Sequence, residues 1–298
     1  MRFYKALPLL FSLHMVCEPV QQQSKRESLI MQSLASGEGQ PIVLIGGGLQ
    51  GADSWGPLVA RLESTRRVIR LQNVNVGFGL KNDKLPSGYS VDMESAAAKR
   101  ALDDLGIKHP VDIVGWSSGG AIALDLALDH PERIRSVTRI EPIAIWVLGS
   151  QEQNDPALTR MIGLARTLRG QISDDQFEAF MCGNGTLNCS AGSPRSSPLW
   201  PRLIRYKQAL NGLAAYVDHT DNLEWLKRFR KPVLIVTGSQ SASFAKRINQ
   251  SLAKQLASAE VLDLPGGHAS FLNSTDLFVE KLSLFLQQVE RTAQEQSR

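Results

Sequence analysis

The chain has 298 residues, of which 43% are hydrophobic and 21% charged, and its 33 Lys and Arg against 29 Asp and Glu give a formal net charge of +4. This ordinary composition excludes a disordered chain, a collagen and a disulfide-dense miniprotein, and the length allows one large α/β domain or two smaller ones. The charge excess is small, and no run of 18 apolar residues follows the N-terminus. We therefore expect neither a nucleic-acid partner nor a stable membrane span.

The first 27 residues have the order of a secretory signal peptide. Arg2 and Lys5 precede a mostly apolar stretch over residues 6–17, and a polar stretch follows to residue 27. Because Pro8 and His14 interrupt the apolar stretch and no A-x-A cleavage site follows it, a short frayed segment or a docked first strand is the alternative. The pattern leans slightly to export, with a cytoplasmic location as the alternative.

Two cysteines bear on the same question. Cys182 and Cys189 flank a short loop rich in Gly and Asn, residues 183–188. In an oxidising compartment this pair can form a small disulfide, whereas in the cytosol it would be two thiols. The spacing fits neither a CxxC redox motif nor a zinc site, which needs four ligands.

Strand and helix patterns alternate along most of the chain. Short apolar runs predict strands at residues 41–45, 67–71, 111–115, 135–140, 231–238 and 260–264. Apolar residues at helical spacing predict helices at residues 56–63, 91–105, 117–130, 245–256 and 277–290. Strands separated by helices pair in parallel, so their carboxyl ends gather at one edge of the sheet, where such sheets place their sites.

Residues 146–226 break this alternation. Helices are predicted at 156–169, 174–181 and 202–216 around an irregular stretch, and the strand pattern resumes directly afterwards. We interpret this region as a helical insertion over the strand ends, a lid rather than a second independent domain. It divides the core into residues 28–145 and 227–298.

The strongest chemical motif is the sequence Gly-Trp-Ser-Ser-Gly-Gly at residues 115–120. A G-x-S-x-G motif between a buried strand and a helix is the nucleophile elbow, in which the turn is too tight for side chains two residues before and after the serine. Ser117 would then take a strained backbone conformation with its hydroxyl exposed, and the next amide could donate to a developing oxyanion. The alternative is a simple Gly-rich turn.

The chain resembles the α/β-hydrolase fold superfamily, in particular its capped members. The resemblance rests on residues 115–120, on His-Pro-Glu-Arg at 130–133 and on Glu-Pro at 141–142, and it extends over roughly residues 28 to 290. It implies a mostly parallel central sheet flanked by helices, with the lid inserted after the strand that ends near Glu141. The superfamily also implies two oxyanion donors, here the amides of Ser118 and of Gly48.

The resemblance implies that a histidine acting as general base follows the last strand, and His268 stands there. The usual position for the acid follows the strand that ends at residue 237, but no carboxylate occurs between residues 238 and 259. Some hydrolases of this fold supply the acid after the preceding core strand, which makes Glu141 the candidate. Asp218 and Asp221 are the alternatives, and Glu141 could instead be a structural hydrogen-bond acceptor.

These residues predict a serine hydrolase that acts on an ester or a similar acyl substrate. The same triad could serve C–C bond hydrolysis, perhydrolysis or acyl transfer, and a non-catalytic receptor for a small ligand is the alternative of another class. Trp116 and Trp146 are candidates for the substrate pocket. We expect no cofactor and no metal site, since histidines and carboxylates are scattered and no H-E-x-x-H motif occurs. The oligomeric state stays open.

Overall fold

The computed structural model describes residues 29–183, 187, 189 and 192–296. The expected N-terminal segment, residues 1–27, lies outside the described residues. No helix among the described residues is long and apolar enough to cross a membrane.

A seven-stranded sheet with the order β1-β3-β2-β4-β5-β6-β7 forms the centre of the molecule. The strands are β1 (Gln32–Ser36), β2 (Pro41–Ile45), β3 (Arg67–Gln72), β4 (Val111–Trp116), β5 (Ile134–Ile140), β6 (Val233–Gly238) and β7 (Ala259–Leu264). All neighbours pair in parallel except β1, which is antiparallel to β3. The expected parallel sheet is confirmed, and β1 is an addition that the sequence did not indicate.

Thirteen α-helices are described. They are α1 (Gly56–Leu62), α2 (Val74–Leu80), α3 (Val91–Asp104), α4 (Ser118–Asp129), α5 (Ser150–Gln153), α6 (Pro156–Thr167), α7 (Asp174–Gly183), α8 (Trp200–Leu203), α9 (Leu213–Asp218), α10 (Leu223–Arg228), α11 (Ser243–Gln255), α12 (Ser270–Asn273) and α13 (Thr275–Gln296). Short 3-10 helices cover Gly51–Trp55, Pro131–Arg133, Ile145–Val147, Pro194–Ser196 and Ile204–Gly212.

Each face of the sheet carries its own apolar cluster, because side chains alternate along a strand. On β2, Val43 and Ile45 pack with α3, α4 and α11 on one face. Ile42 and Leu44 pack with α1 and α13 on the other. Both faces of the central strands are therefore covered, which is why these strands are continuous apolar runs in the sequence.

The helices between β5 and β6 have an apolar cluster of their own. Its members lie on α6 to α9 and the segments between them: Ala165, Leu168, Ile172, Phe177, Phe180, Met181, Leu187, Trp200, Leu203, Leu210 and Leu213. Within this insertion Cys182 and Cys189 are joined in a disulfide, with 5.6 Å between their Cα atoms. The continuous helix expected over 202–216 is divided between α8, a 3-10 helix and α9.

Candidate active site

Ser117 occupies a sharp turn between β4 and α4. Its backbone has φ 55° and ψ −119°, a left-handed conformation that is strained for a residue with a side chain. A Cβ on Gly115 would overlap the carbonyl oxygen of Gly119, and one on Gly119 would overlap that of Ile45. The two glycines are therefore required by close backbone approach, as the elbow motif predicts.

His268 follows β7 and contacts a carboxylate that follows β5. The Nδ1 atom of His268 lies 3.3 Å from Oε2 of Glu141. The other carboxylate oxygen of Glu141 accepts a hydrogen bond of 2.8 Å from the amide of Gly238, at the end of β6. Glu141 also has a positive φ of 45°. Three neighbouring strand ends thus hold one buried carboxylate in a fixed position against the imidazole ring.

The environment of Glu141 favours its charged form. Burial alone raises the pKa of this carboxyl group, but contacts with His268, the Ser241 hydroxyl and the Gly238 amide outweigh burial and lower the pKa overall. Asp218 instead pairs with Arg166 at 2.6 Å on the surface of the insertion, and Asp221 lies 3.2 Å from His219. Of the three carboxylates considered from the sequence, the structure brings Glu141 to His268.

The loop after β2 places Gly48 beside the start of α4. A Cβ on Gly48 would lie 2.9 Å from the Ser118 hydroxyl oxygen. Among the described residues, no turn or loop carbonyl accepts a hydrogen bond from the Gly48 or Ser118 amide. Two free amides at adjacent strand ends can donate to a negatively charged oxygen between them.

Two asparagines after β3, which no sequence motif marks, hold this loop. The side-chain amide of Asn75 donates to the carbonyl oxygen of Gly48 at 2.7 Å and to that of Ala209, in the insertion, at 2.9 Å. Asn73 donates to the carbonyl oxygen of Gly46 at 3.0 Å. The one local signal is the pair of asparagines at the end of a strand pattern, where the chain has to turn.

Glu94 fixes the start of α2, and with it Asn75. The buried carboxylate accepts hydrogen bonds from the amides of Val74, at 2.8 Å, and Asn75, at 3.0 Å. It also accepts from the hydroxyl groups of Tyr89 and Tyr216. Burial is the largest effect on Glu94 and raises its pKa despite these four donors. A carboxylate at the first amides of a helix satisfies donors that have no partner within the helix.

A cavity of about 410 Å³ lies between the insertion and the carboxyl ends of the strands. Ser117, His268, Glu141 and Gly48 line it together with Trp116. Most of the remaining lining is apolar, and ten of its apolar side chains come from α6, α7, α9 and α11: Leu158, Met161, Ile162, Ala165, Phe180, Leu213, Val217, Phe244, Ala245 and Ile248. Among the described residues, no Lys or Arg side chain lines the cavity.

The two tryptophans expected in the pocket have different positions. Trp116 lines the cavity, and its indole N–H donates to the carbonyl oxygen of His268 at 2.8 Å. Trp146 packs against the apolar cluster between the sheet and helices α3, α4 and α11, and is not among the lining residues. The structure therefore places Trp116, but not Trp146, among the residues that line this cavity.

Comparison with known proteins agrees with this architecture. A family model described as alpha/beta hydrolase fold matches residues 40–181. The chain is 27% identical over 199 residues to a pimeloyl-[acyl-carrier protein] methyl ester esterase of Neisseria meningitidis, an alignment that covers 65% of this chain and 61% of that protein. It is 26% identical to an esterase of the same name from Nitrosospira multiformis, with 87% of this chain and 98% of that protein covered.

Among solved structures, an esterase from Thermogutta terrifontis superposes with a TM-score of 0.69 at 15% identity, covering 87% of this chain and 93% of that one. At this identity the likeness concerns the fold. The family match, the sheet order and the tight turn at Ser117 together show that the chain has the alpha/beta hydrolase fold.

Proposed function

We propose that the protein is a serine hydrolase that cleaves an ester or a similar acyl substrate with Ser117, His268 and Glu141. The observation that carries this proposal is the 3.3 Å contact of His268 Nδ1 with the buried Glu141 carboxylate, in a cavity that Ser117 also lines. A carboxylate at Nδ1 fixes the tautomer that presents Nε2 as a base to a serine hydroxyl. The esterase names of the relatives support the same reaction class.

The reaction follows from these positions. His268 takes the proton of Ser117, whose oxygen attacks the substrate carbonyl carbon. The carbonyl oxygen becomes an oxyanion that accepts hydrogen bonds from the amides of Gly48 and Ser118. His268 then protonates the leaving alcohol, and the acyl group stays on Ser117. Water, deprotonated by His268, releases the acid and restores the enzyme. Glu141 stabilises the imidazolium form of His268 during both acylation and deacylation.

The cavity chemistry favours an uncharged acyl group of small or medium size. The described part of its lining offers aliphatic and aromatic side chains from the insertion and no Lys or Arg to pair with a second carboxylate on the substrate. Burial of apolar substrate surface there would supply most of the binding free energy. In this proposal residues 146–226 act as the lid that excludes water from the reacting carbonyl.

The test is hydrolysis of p-nitrophenyl acetate, butyrate, octanoate and palmitate by the wild type and by Ser117→Ala, His268→Ala and Glu141→Gln. We expect the butyrate and octanoate esters to react best. The Ser117 and His268 variants should have a kcat lower by about 10⁴-fold or more. The kcat of Glu141→Gln should fall by nearly as much, approaching about 10⁴-fold. Asp218→Asn is the matched control, because it changes a carboxylate paired with Arg166 on the surface of the insertion. It should keep full activity.

Other outcomes would identify the alternatives. Full activity of Glu141→Gln would exclude Glu141 as the triad acid. A wild type that hydrolyses no ester and is not labelled at Ser117 by a fluorophosphonate would favour a non-catalytic receptor for a small apolar ligand. Labelling at Ser117 without ester hydrolysis would point to C–C bond hydrolysis, perhydrolysis or acyl transfer by the same residues.

A further inference from the structure

A second polar cluster lies where the insertion returns to the core. It consists of Asp92 at the start of α3, Asp125 on α4, and His219 and Asp221 in the segment between α9 and α10. We call these four residues the junction cluster. None of them lines the cavity that contains Ser117. The mechanism therefore leaves the junction cluster unexplained.

His219 stands at the centre of the cluster with both ring nitrogens facing carboxylates. Its Nδ1 atom lies 3.6 Å from Oδ1 of Asp92. Its Nε2 atom lies 3.6 Å from Oδ1 of Asp125 and 3.2 Å from Oδ2 of Asp221. One nitrogen of His219 and one oxygen each of Asp92 and Asp125 all lie within 4.8 Å of one another. This is a compact set of imidazole and carboxylate donors.

Most of the cluster is removed from solvent. The side chains of Asp125, His219 and Asp221 are 5%, 8% and 10% exposed, whereas that of Asp92 is 72% exposed. Although Nε2 of His219 is buried beside two carboxylates, it makes no hydrogen bond within the described part of the chain. Apart from its ion-pair contacts with Asp221 at 3.2 Å and Asp125 at 3.6 Å, this buried ring nitrogen has no partner among those residues, and an ion bound there would satisfy it.

Apart from His219, the described residues give these carboxylates no direct cationic partner. Among the described residues, no Lys or Arg lies within 4.0 Å of the Asp92, Asp125 or Asp221 carboxylates. The fully buried guanidinium of Arg139 interacts with Asp221 only at longer range. A divalent cation would place positive charge directly between these carboxylates.

We propose that the junction cluster binds a divalent transition-metal ion of the zinc type through His219, Asp125 and Asp92, with Asp221 available as a further ligand. Mixed imidazole and carboxylate donors suit such ions, whereas Ca²⁺ and Mg²⁺ prefer oxygen ligands alone. Zinc bonds of 2.0–2.2 Å place neighbouring ligand atoms about 3.3–3.6 Å apart in a tetrahedral site. Because one ion binds only one ring nitrogen of His219, the three ligand atoms, which lie within 4.8 Å of one another, would have to approach by about 1 Å. Exposed Asp92 leaves a path for the ion to enter.

The sequence shows no motif for this site, because its ligands are far apart in the chain. Asp92 and Asp125 belong to the first part of the core, and His219 to the end of the insertion. A bound ion would link α3, α4 and the returning segment of the insertion. It would therefore raise the free energy of unfolding, and this gain would increase with the ratio of zinc concentration to Kd.

The experiment is calorimetric titration of ZnCl₂ into tag-free protein that has been freed of metal with a chelator, in a Cys17→Ser background. Thermal unfolding with and without zinc provides the second readout. We expect one zinc ion per chain and a higher Tm when zinc is present. His219→Gln and Asp125→Asn should weaken zinc binding at least about 10- to 100-fold and remove the rise in Tm. The visible absorption of Co²⁺ in the same site should disappear in both variants.

His130→Gln is the matched control, because His130 forms an exposed pair with Glu132 at 3.6 Å. This variant, and His268→Gln in the catalytic cavity, should bind zinc as the wild type does. Absence of saturable zinc binding by the wild type would overturn the proposal and leave a protonated His219 as the partner of the carboxylates. Equal zinc affinity in His219→Gln, or equal affinity of the wild type for Ca²⁺, would overturn it as well.

Discussion

At the scale of single residues, the site depends on backbone positions that few residue types tolerate. Ser117 and Glu141 both have a positive φ although neither is glycine. Each follows the last residue of a central strand, and that strand is paired with a neighbour on each side. The rest of the sheet therefore holds the strained backbone in place. At Glu141 the cost is offset by the amide of Gly238 and by His268, which bind the two carboxylate oxygens.

This arrangement makes the stability contribution of Glu141 dependent on pH. Its pKa is lower in the folded chain than the usual 4.5. The contribution is therefore fully present above 4.5 and is lost as the pH falls through the folded pKa. We expect Glu141→Gln to unfold about 1.5–3 kcal/mol more easily than the wild type at pH 7, since it loses hydrogen bonds to a charged group. Urea unfolding measures this difference.

The difference between wild type and Glu141→Gln should shrink as the pH is lowered from 4.5. A difference that stays constant from pH 7 to pH 3.5 would show that the charge of Glu141 does not stabilise the fold. A difference that grows toward acid pH would contradict the direction of the pKa shift.

At the scale of secondary structure, the sequence predicts the elements that carry their own pattern and misses those held by distant contacts. Strands β2, β4 and β6 are fully buried and mostly apolar, and the motif at residues 115–120 defines the tight turn after β4 locally. Helix α2 contains Gly77 and Gly79, which disfavour a helix, and it forms because Glu94 binds its first amides. Asn75 and Glu94 could not be identified from the sequence, because their contacts are with residues far away in the chain.

Helix α2 also shows why one of its glycines is required. A Cβ on Gly79 would overlap the backbone of Ala209 in the insertion, whereas a Cβ on Gly77 has no atom within 4 Å. We expect Gly79→Ala to lower the free energy of unfolding by about 1–3 kcal/mol, as overpacking does. It should also raise the KM for butyrate esters, because Ala209 shares the Asn75 amide with Gly48.

Gly77→Ala is the matched control in the same helix. It should leave KM unchanged and stabilise the fold by up to about 1 kcal/mol, the usual gain from replacing glycine in a helix. Equal stability and equal KM for the two alanine variants, measured by urea unfolding and ester hydrolysis, would show that the insertion does not rest on Gly79.

At the scale of the whole molecule, the insertion and the sheet together complete the cavity. The sheet supplies Ser117, Glu141 and His268, and the insertion supplies much of the apolar wall, with Leu158 and Met161 on α6. The alternation of elements predicts the sheet and the place of the insertion. It does not predict how the insertion is fixed, because the contacts join polar side chains far apart in the chain.

Asp155 is one of these contacts. It binds the first amides of α6, from Ala157 at 2.7 Å and Leu158 at 3.1 Å, and it pairs with Arg247 and Ser243 on α11. The Arg247 contact is the largest of the effects that lower the pKa of Asp155 to about 2. The ionised carboxylate thus joins one wall of the cavity to the core. This contribution is present above pH 3.8 and is lost as the pH falls toward 2.

We expect Asp155→Ala to cost about 0.5–2 kcal/mol of stability through the lost helix cap alone. Its larger effect should be on catalysis, because a loosened α6 moves Leu158 and Met161. The KM for p-nitrophenyl octanoate should rise several-fold, while kcat for the acetate ester, which reaches less of that wall, should change little. Asp174→Ala removes an acidic residue that pairs with Lys207 inside the insertion, and it should leave both constants unchanged. If the two variants raise the octanoate KM equally, the effect belongs to the insertion as a whole and not to its attachment through Asp155.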